Sequence, residues 1–168
     1  MVPNFLVLLG TAFIPFLIAY AWYHPSLFGG DNWKEIAGLT DEQHNKKVKP
    51  LKLGLSILLN FLIAFGLYNL CVHESGVFSM VNAEVEAMTT GTAKAFLDEY
   101  AGNHLSLGHG VIHGLVSGLL LFALPVLGYV TIFERKSTKY LLVNLGFWAI
   151  SMALMGGVIA QWGWTAVY

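Results

Sequence analysis

Three histidines at the start of one apolar run carry the side chains best suited to chemistry: His104, His109 and His113. On a helix His109 and His113 share one face, because side chains four residues apart stand about 5–6 Å from each other at Cβ. That spacing can clamp Zn²⁺ or a similar ion when other groups complete the shell. His104 projects elsewhere if the helix extends back to it, so His73 or Glu74, at the end of the preceding apolar run, is the better candidate for a third ligand.

Haem is a second cofactor that these histidines suggest. Its two axial ligands approach the iron from opposite sides, so one helical face cannot supply both. Only one of the pair would then serve, together with a partner such as His73. A third interpretation needs no cofactor, since polar groups in membrane bundles hydrogen-bond across helices. The sequence favours this third interpretation, because an ionisable residue in a membrane segment suggests a function without establishing one.

Four apolar runs must position the histidines. They cover about residues 5–22, 51–72, 107–133 and 140–162, and each reaches the ~20 residues that a helix needs to cross a bilayer. The chain is 56% hydrophobic and 11% charged, with a mean hydropathy of +0.63. A soluble protein of 168 residues needs more polar surface than this composition provides. We therefore predict an all-α fold, with one membrane domain over residues 1–168 that forms a bundle of four transmembrane helices.

The basic residues predict how the bundle is oriented. Nearly all of the nine Lys and Arg residues lie in the first and third loops, and short loops with excess positive charge stay cytoplasmic. Both termini and the second loop are then outside, an N-out/C-out arrangement. A cluster of these cations is expected at the lipid headgroups of the bilayer. Its members are Lys46, Lys47, Lys49, Lys52, Arg135 and Lys136.

The loops contain their own helix signals. In loop one Thr40 can cap backbone N–H groups while Gln43 reaches back to it, which predicts a short cytoplasmic helix. Loop two is long and contains an amphipathic stretch over residues 92–100, with Gly102 placed to end a helix. We expect loop two to form a small external cap.

Spans three and four contain small residues at helical spacing, which allow another backbone to approach closely. The packing positions that we predict are Gly110, Gly114, Gly118, Gly146 and Gly157. In span three the glycines and histidines lie in one half of the helix, whereas Val111 and Phe122 lie in the half that we assign to lipid. The polar half then faces the bundle, a membrane-protein partner or a second copy of the chain.

Three blocks of sequence together resemble one family. The blocks are Trp22-Tyr23-His24-Pro25-Ser-Leu-Phe28-Gly29, His109-Gly110-Val-Ile-His113-Gly114 and Asn144-Leu-Gly146-Phe-Trp148, and the last belongs to a longer stretch that begins at Ala123-Leu-Pro125. They resemble the DUF1761 family of bacterial four-helix membrane proteins. The resemblance implies a multi-pass protein of the bacterial inner (cytoplasmic) membrane and carries over no activity. The position of His24 is more typically serine in that family, so His24 receives no role.

Three functions follow as hypotheses. The first is a non-catalytic packing or accessory subunit in a membrane assembly, which the glycine ladder favours. The second is a metal- or haem-binding membrane protein that uses His109 and His113. The third is a small-solute channel or transporter, which few intramembrane polar residues support. An enzyme is not expected, because no nucleophile is accompanied by a base and an orienting acid. A net charge of −1 gives no support to nucleic-acid binding.

Overall fold

The computed structural model describes residues 1–24 and 33–166. Part of the first block of resemblance, residues 25–29, lies outside this described part. The described residues are mostly helical, and four helices are long and apolar enough to cross a membrane. They extend over Phe5–Trp22, Pro50–Cys71, Leu107–Phe133 and Thr138–Trp162. These helices coincide with the four predicted apolar runs to within two residues at each end.

Span one consists of two helices, α1 (Phe5–Thr11) and α2 (Ile14–Trp22). The break precedes Pro15, whose ring clashes with the preceding turn and whose nitrogen has no hydrogen to donate. Span two supplies the compensating hydrogen bond, since the buried Asn60 amide donates to the carbonyl oxygen of Ala12 at 3.1 Å. The Asn60 side chain on span two thus satisfies a backbone carbonyl that the break in span one leaves without its helical partner.

Short helices occupy the first two loops. In loop one these are α3 (Trp33–Ala37) and α4 (Asp41–Asn45), and α4 begins with the capping box of Thr40 and Gln43. Span two is α5 (Pro50–Cys71). Loop two contains α6 (Glu74–Met80), α7 (Val85–Thr89) and α8 (Gly91–Tyr100). We call residues 74–106 the cap segment. Gly102 follows α8 with a φ of +85°, a conformation that glycine adopts without strain.

Span three is irregular at its middle. It runs as α9 (Leu107–Ser117), a π-helical turn over Gly118–Ala123 and α10 (Leu124–Phe133). The π-helical turn ends just before Pro125, which removes one backbone donor from the helix. Span four is one helix, α11 (Thr138–Trp162). A short antiparallel pair, β1 (Val2–Pro3) with β2 (Trp164–Thr165), joins the two chain ends and adds to the all-α fold that the sequence predicts.

Spans three and four approach each other so closely that their backbones touch. A Cβ on Gly110 would overlap the carbonyl oxygen of Gly156, and one on Gly114 would overlap that of Met152. A Cβ on Gly118 would lie 2.6 Å from the Met152 sulfur. The glycine ladder of span three therefore packs inside the chain. Gly156 was not among the predicted packing positions. Gly157 was among them, and it lies against Leu107 and Val111 of span three.

The structure also defines the neighbours of Gly146, the remaining predicted packing position, and of two residues that were assigned to lipid. Gly146 lies against the indole of Trp22, 2.8 Å from where its Cβ would stand. Two residues assigned to lipid pack inside instead: Val111 lies against Gly157, and the ring of Phe122 is 5.3 Å from that of Trp148. The assignment of Phe122 was wrong because the π-helical turn changes the rotation per residue, so a regular helical projection loses its phase there.

The inside of the bundle and its outer surface differ in the expected way for a membrane protein. Leu8, Met155 and Ile159 are fully buried between the spans. On the outside, large apolar side chains are exposed on all four spans, including Leu17, Leu51, Leu121 and Leu142. An exposed apolar surface of this extent suits contact with lipid rather than water.

Candidate metal centre

Four histidines lie together at the end of the bundle where span two finishes and span three begins. We call this the histidine end and define it by His73, His104, His109 and His113. Ring centroids are 4.2 Å apart for His109 and His113, 5.0 Å for His73 and His113, and 5.1 Å for His73 and His109. His104 adds a ring 4.9 Å from that of His109.

Span three fixes two of these rings through its first turn. Ser106 caps the helix, since its hydroxyl accepts from the backbone N–H of His109 at 3.3 Å. The backbone N–H of Leu107 donates to Gln161 on span four at 3.1 Å, which anchors the start of the helix. With the helix beginning at Leu107, His109 and His113 are one turn apart and project from the same face.

The other elements bring His73 and His104 to that face. His73 directly precedes α6, two residues beyond the end of span two. His104 stands in the short connection between α8 and α9, outside either helix. The condition under which His104 would project elsewhere, a helix extending back to it, is therefore not met. The sequence analysis named His104 but did not predict that it joins this face, because the path of the connection between α8 and α9 depends on contacts with other elements, such as that of Glu74 with Gly102.

Three of the histidines have the geometry of a metal site. His73, His109 and His113 each offer a ring nitrogen, and these nitrogens all lie within 4.8 Å of one another. In a tetrahedral site with Zn–N bonds of about 2.0–2.1 Å, ligand nitrogens stand roughly 3.4 Å apart. The Nε2 atoms of His73 and His109 are already 3.1 Å apart.

The expected third-ligand alternative, Glu74, has a different set of contacts. Its side chain is buried, and its Oε1 accepts from the backbone N–H of Gly102 at 2.8 Å. Its Oε2 is buried and has no hydrogen-bond partner among residues 1–24 and 33–166. The amino group of Met1 interacts with this carboxylate: burial lowers the pKa of that amine, and the charge of Glu74 opposes the shift. Glu74 thus fastens the cap segment to the end of span two, beside His73.

The opposite end of the bundle carries an aromatic cluster, which we call the aromatic end and define by Tyr23, Trp33, Tyr140 and Phe147. The ring of Tyr23 lies 4.6 Å from Trp33 and 5.4 Å from Phe147. Its hydroxyl donates to the side chain of Asn144 at 3.0 Å. Burial raises the pKa of Tyr23, and Tyr140 adds to the shift. The phenol therefore stays protonated and remains a hydrogen-bond donor.

The basic residues expected at lipid headgroups are found at the aromatic end. Lys46, Lys47, Lys49 and Lys52 lie before or within the first turn of span two and are exposed. Lys136 instead donates to the carbonyl oxygen of Ala37 at 3.1 Å and lies 5.7 Å from the centre of the Tyr140 ring. It thereby joins loop three to the end of α3 in loop one.

Four apolar spans with a histidine cluster at one end fit a helical membrane protein. The chain belongs to the DUF1761 family, described as a protein of unknown function, whose model matches residues 6–160. The matched region contains the whole histidine end. No curated protein and no solved structure matches the chain.

Proposed function

We propose that this protein binds a divalent transition-metal ion through His73, His109 and His113. The observation that carries the proposal is the convergence of three ring nitrogens, one from just beyond the end of span two and two from the start of span three, within 4.8 Å of one another. His73 is exposed and the other two are partly buried, so an ion can enter from the water beyond the end of the spans. The site then joins the end of span two to the first turns of span three.

Cross-helix hydrogen bonding, which the sequence favours, accounts for only part of this arrangement. His73 and His109 stand at hydrogen-bond distance, and one ring can donate to the other. Within the described residues, the contacts of His113 are with the rings of His73 and His109, and its nitrogens bond to neither. A metal ion explains why a third ring stands beside a pair that is already satisfied.

The ligand chemistry favours a borderline ion such as Zn²⁺. Imidazole nitrogen suits Zn, Cu, Ni and Fe, whereas Ca²⁺ and Mg²⁺ prefer oxygen ligands. Haem is less well supported, because the rings of His73 and His109 contact each other at 5.1 Å between centroids. A porphyrin between them would have to force them apart.

The orientation that we propose would put this site outside the cell. We propose that the protein is a multi-pass protein of the bacterial inner membrane, with both termini outside. The support is the charge distribution, since loops one and three, at the aromatic end, hold almost all of the Lys and Arg residues. The headgroup role of Lys46, Lys47, Lys49, Lys52, Arg135 and Lys136 belongs to the same proposal. The histidine end would then meet metal ions from the periplasmic side.

The other functional hypotheses have less structural support. The glycine ladder that suggested a membrane-protein partner or a homo-oligomer is covered by span four of the same chain. An apolar groove of 590 Å³ is lined by residues of all four spans, with Trp148 and Phe122 in its wall. That groove leaves room for an accessory role alongside metal binding. A polar conduit is opposed by Leu8, Met155 and Ile159, which fill the core of the half of the bundle nearest the histidine end.

Native mass spectrometry of the purified protein in detergent tests the proposal. The protein is stripped with a chelator, given one equivalent of Zn²⁺ and compared with His113→Ala. A matched control is His44→Ala, since His44 is an exposed histidine on α4 at the other end of the bundle. We expect one bound zinc in the wild type and in His44→Ala, and none in His113→Ala. Equal zinc binding by all three proteins would contradict the site.

A further inference from the structure

The histidine end contains a fourth imidazole that the three-histidine site leaves unused. His104 reaches the cluster from the cap segment, with its ring 4.9 Å from His109 and 5.7 Å from His73. It is exposed, so its side chain has room to rotate. Its ring is as close to that of His109 as the rings of the three proposed ligands are to one another.

The backbone around His104 is held in place. Gly102 takes a φ of +85°, and its N–H donates to the buried Oε1 of Glu74. The next turn is closed by Leu105 N–H donating to Gly102 O at 3.1 Å and by Ser106 N–H donating to His104 O at 3.0 Å. A carboxylate on the element that follows His73 therefore fixes the segment that delivers His104.

The burial of Glu74 is compensated only in part, by the N–H of Gly102 and by the charge of the Met1 amino group. The residue is 6% exposed, and within the described part of the chain its Oε2 has no hydrogen-bond partner. A buried carboxylate requires compensation by hydrogen bonds or by a positive charge. Three neutral imidazoles do not neutralise the charge of a divalent ion. The negative charge of the buried Glu74 carboxylate, next to His73, and the positive charge of the ion would therefore stabilise each other.

We propose that His104 is the fourth ligand of the metal ion and that Glu74 is a positioning residue that holds His104 in reach. This inference rests on the proposed metal site and adds a structural role for that site. Four protein ligands make a coordinatively closed centre, the arrangement typical of structural rather than catalytic zinc. The ion would fasten the cap segment across the ends of spans two and three, leaving no position for a substrate.

Cobalt substitution distinguishes a closed centre from an open one. Co²⁺ in place of zinc gives visible absorption that changes when a small anion such as azide enters the coordination shell. With four histidines bound, the wild-type spectrum should not respond to azide. His104→Ala should still bind Co²⁺, with an affinity lowered about 10–100-fold, the range that even supporting residues of metal sites show. Its spectrum should change on addition of azide.

Two variants at Glu74 separate positioning from simple packing. Glu74→Gln keeps an oxygen that accepts from Gly102, so its cobalt spectrum should remain insensitive to azide. Glu74→Ala removes the acceptor and should become azide-sensitive, as His104→Ala does. Asn103→Ala, at the exposed neighbour of His104, is the matched control and should behave as the wild type.

The outcomes separate the two proposals. If the wild type binds no Co²⁺ or Zn²⁺, the metal site itself is wrong. If the wild type binds Co²⁺ and its spectrum responds to azide as strongly as that of His104→Ala, the three-histidine site stands and His104 is not a ligand. If Glu74→Ala stays insensitive to azide, Glu74 does not position His104.

Discussion

The two ends of the bundle solve the same problem differently. Both must close a set of helix ends with polar and aromatic side chains. At the aromatic end the polar groups pair in complementary fashion: the hydroxyl of Tyr23 donates to Asn144 Oδ1, and the Asn144 amide donates to the carbonyl oxygen of Tyr140 at 2.8 Å. At the histidine end four rings of the same kind face each other. A buried oxygen without a partner among the described residues is found toward both ends, Glu74 Oε2 at the histidine end and Thr131 Oγ1 near the other end of span three.

This difference indicates at which end the polar side chains can satisfy one another without a ligand. Satisfied polar groups stabilise a membrane bundle and need no further ligand. Clustered imidazoles satisfy one another only in part, because a hydrogen bond between two neutral rings, as between His73 and His109, leaves the other rings unpaired, and each charged ring repels the next. A cation shared among the rings removes this conflict. We therefore assign closure of the bundle to the aromatic end and ligand binding to the histidine end.

The largest effect is expected from a substitution that disturbs the contact between spans three and four, on which both ends of the bundle depend. Gly110→Ala places a methyl group on the carbonyl oxygen of Gly156, so the two helices must separate. Overpacking of this kind costs about 3 kcal/mol. Thermal unfolding in detergent measures it, with Gly108→Ala as the control, since a Cβ on Gly108 meets nothing within 4 Å. Equal melting temperatures for the two variants would mean that the spans tolerate separation.

The next effect should arise at the histidine end alone. An ion that binds only the folded protein stabilises it by about 2.7 kcal/mol when its free concentration is 100 times Kd. We expect Zn²⁺ to raise the melting temperature of the wild type and to leave that of His113→Ala unchanged. A shift of the same size in both proteins would assign the zinc effect to some other part of the chain.

A smaller effect should separate the two ends. Tyr23→Phe removes the hydrogen bond to Asn144 and should cost about 1 kcal/mol. Because Tyr23 lies at the aromatic end, the variant should bind zinc with unchanged affinity, and its melting temperature should rise on zinc binding as much as that of the wild type. A lost or reduced zinc shift would show that the two ends are coupled, contrary to the comparison.

The smallest effect concerns the surface of loop one. Lys34 lowers the pKa of Asp41 by hydrogen bonding and by its charge. This pair stabilises the folded state above the ordinary aspartate pKa of about 3.9 and loses that contribution as pH falls through the folded-state value. Lys34→Ala should raise the Asp41 pKa toward the ordinary value, as followed by NMR titration. An unchanged titration would show that Lys34 does not determine it.

The sequence was sufficient where periodicity and hydropathy decide the structure. The spans follow from four apolar runs, and the shared face of His109 and His113 follows from a spacing of four on a helix. The candidate His73 followed from its place at the end of span two. These are local properties of the chain, and they do not depend on how the elements pack.

The sequence was insufficient where packing or an irregular backbone decides. His104 joins the cluster because the helix starts at Leu107 and because Glu74 holds the preceding turn, a contact across 28 positions in the chain. Gly156 meets Gly110 through a helix pairing that neither residue's own neighbourhood reveals. The π-helical turn before Pro125 changes which residues face inward, so Phe122 packs against Trp148.

X-ray absorption at the zinc K edge tests the central claim most directly. The sample is the detergent-purified protein loaded with one equivalent of Zn²⁺. The metal site predicts a first shell of nitrogen at about 2.0–2.1 Å, with the outer-shell scattering that imidazole rings produce. An oxygen-only first shell without imidazole scattering, or a spectrum identical to that of His113→Ala treated in the same way, would contradict the assignment of the histidine end as a metal centre.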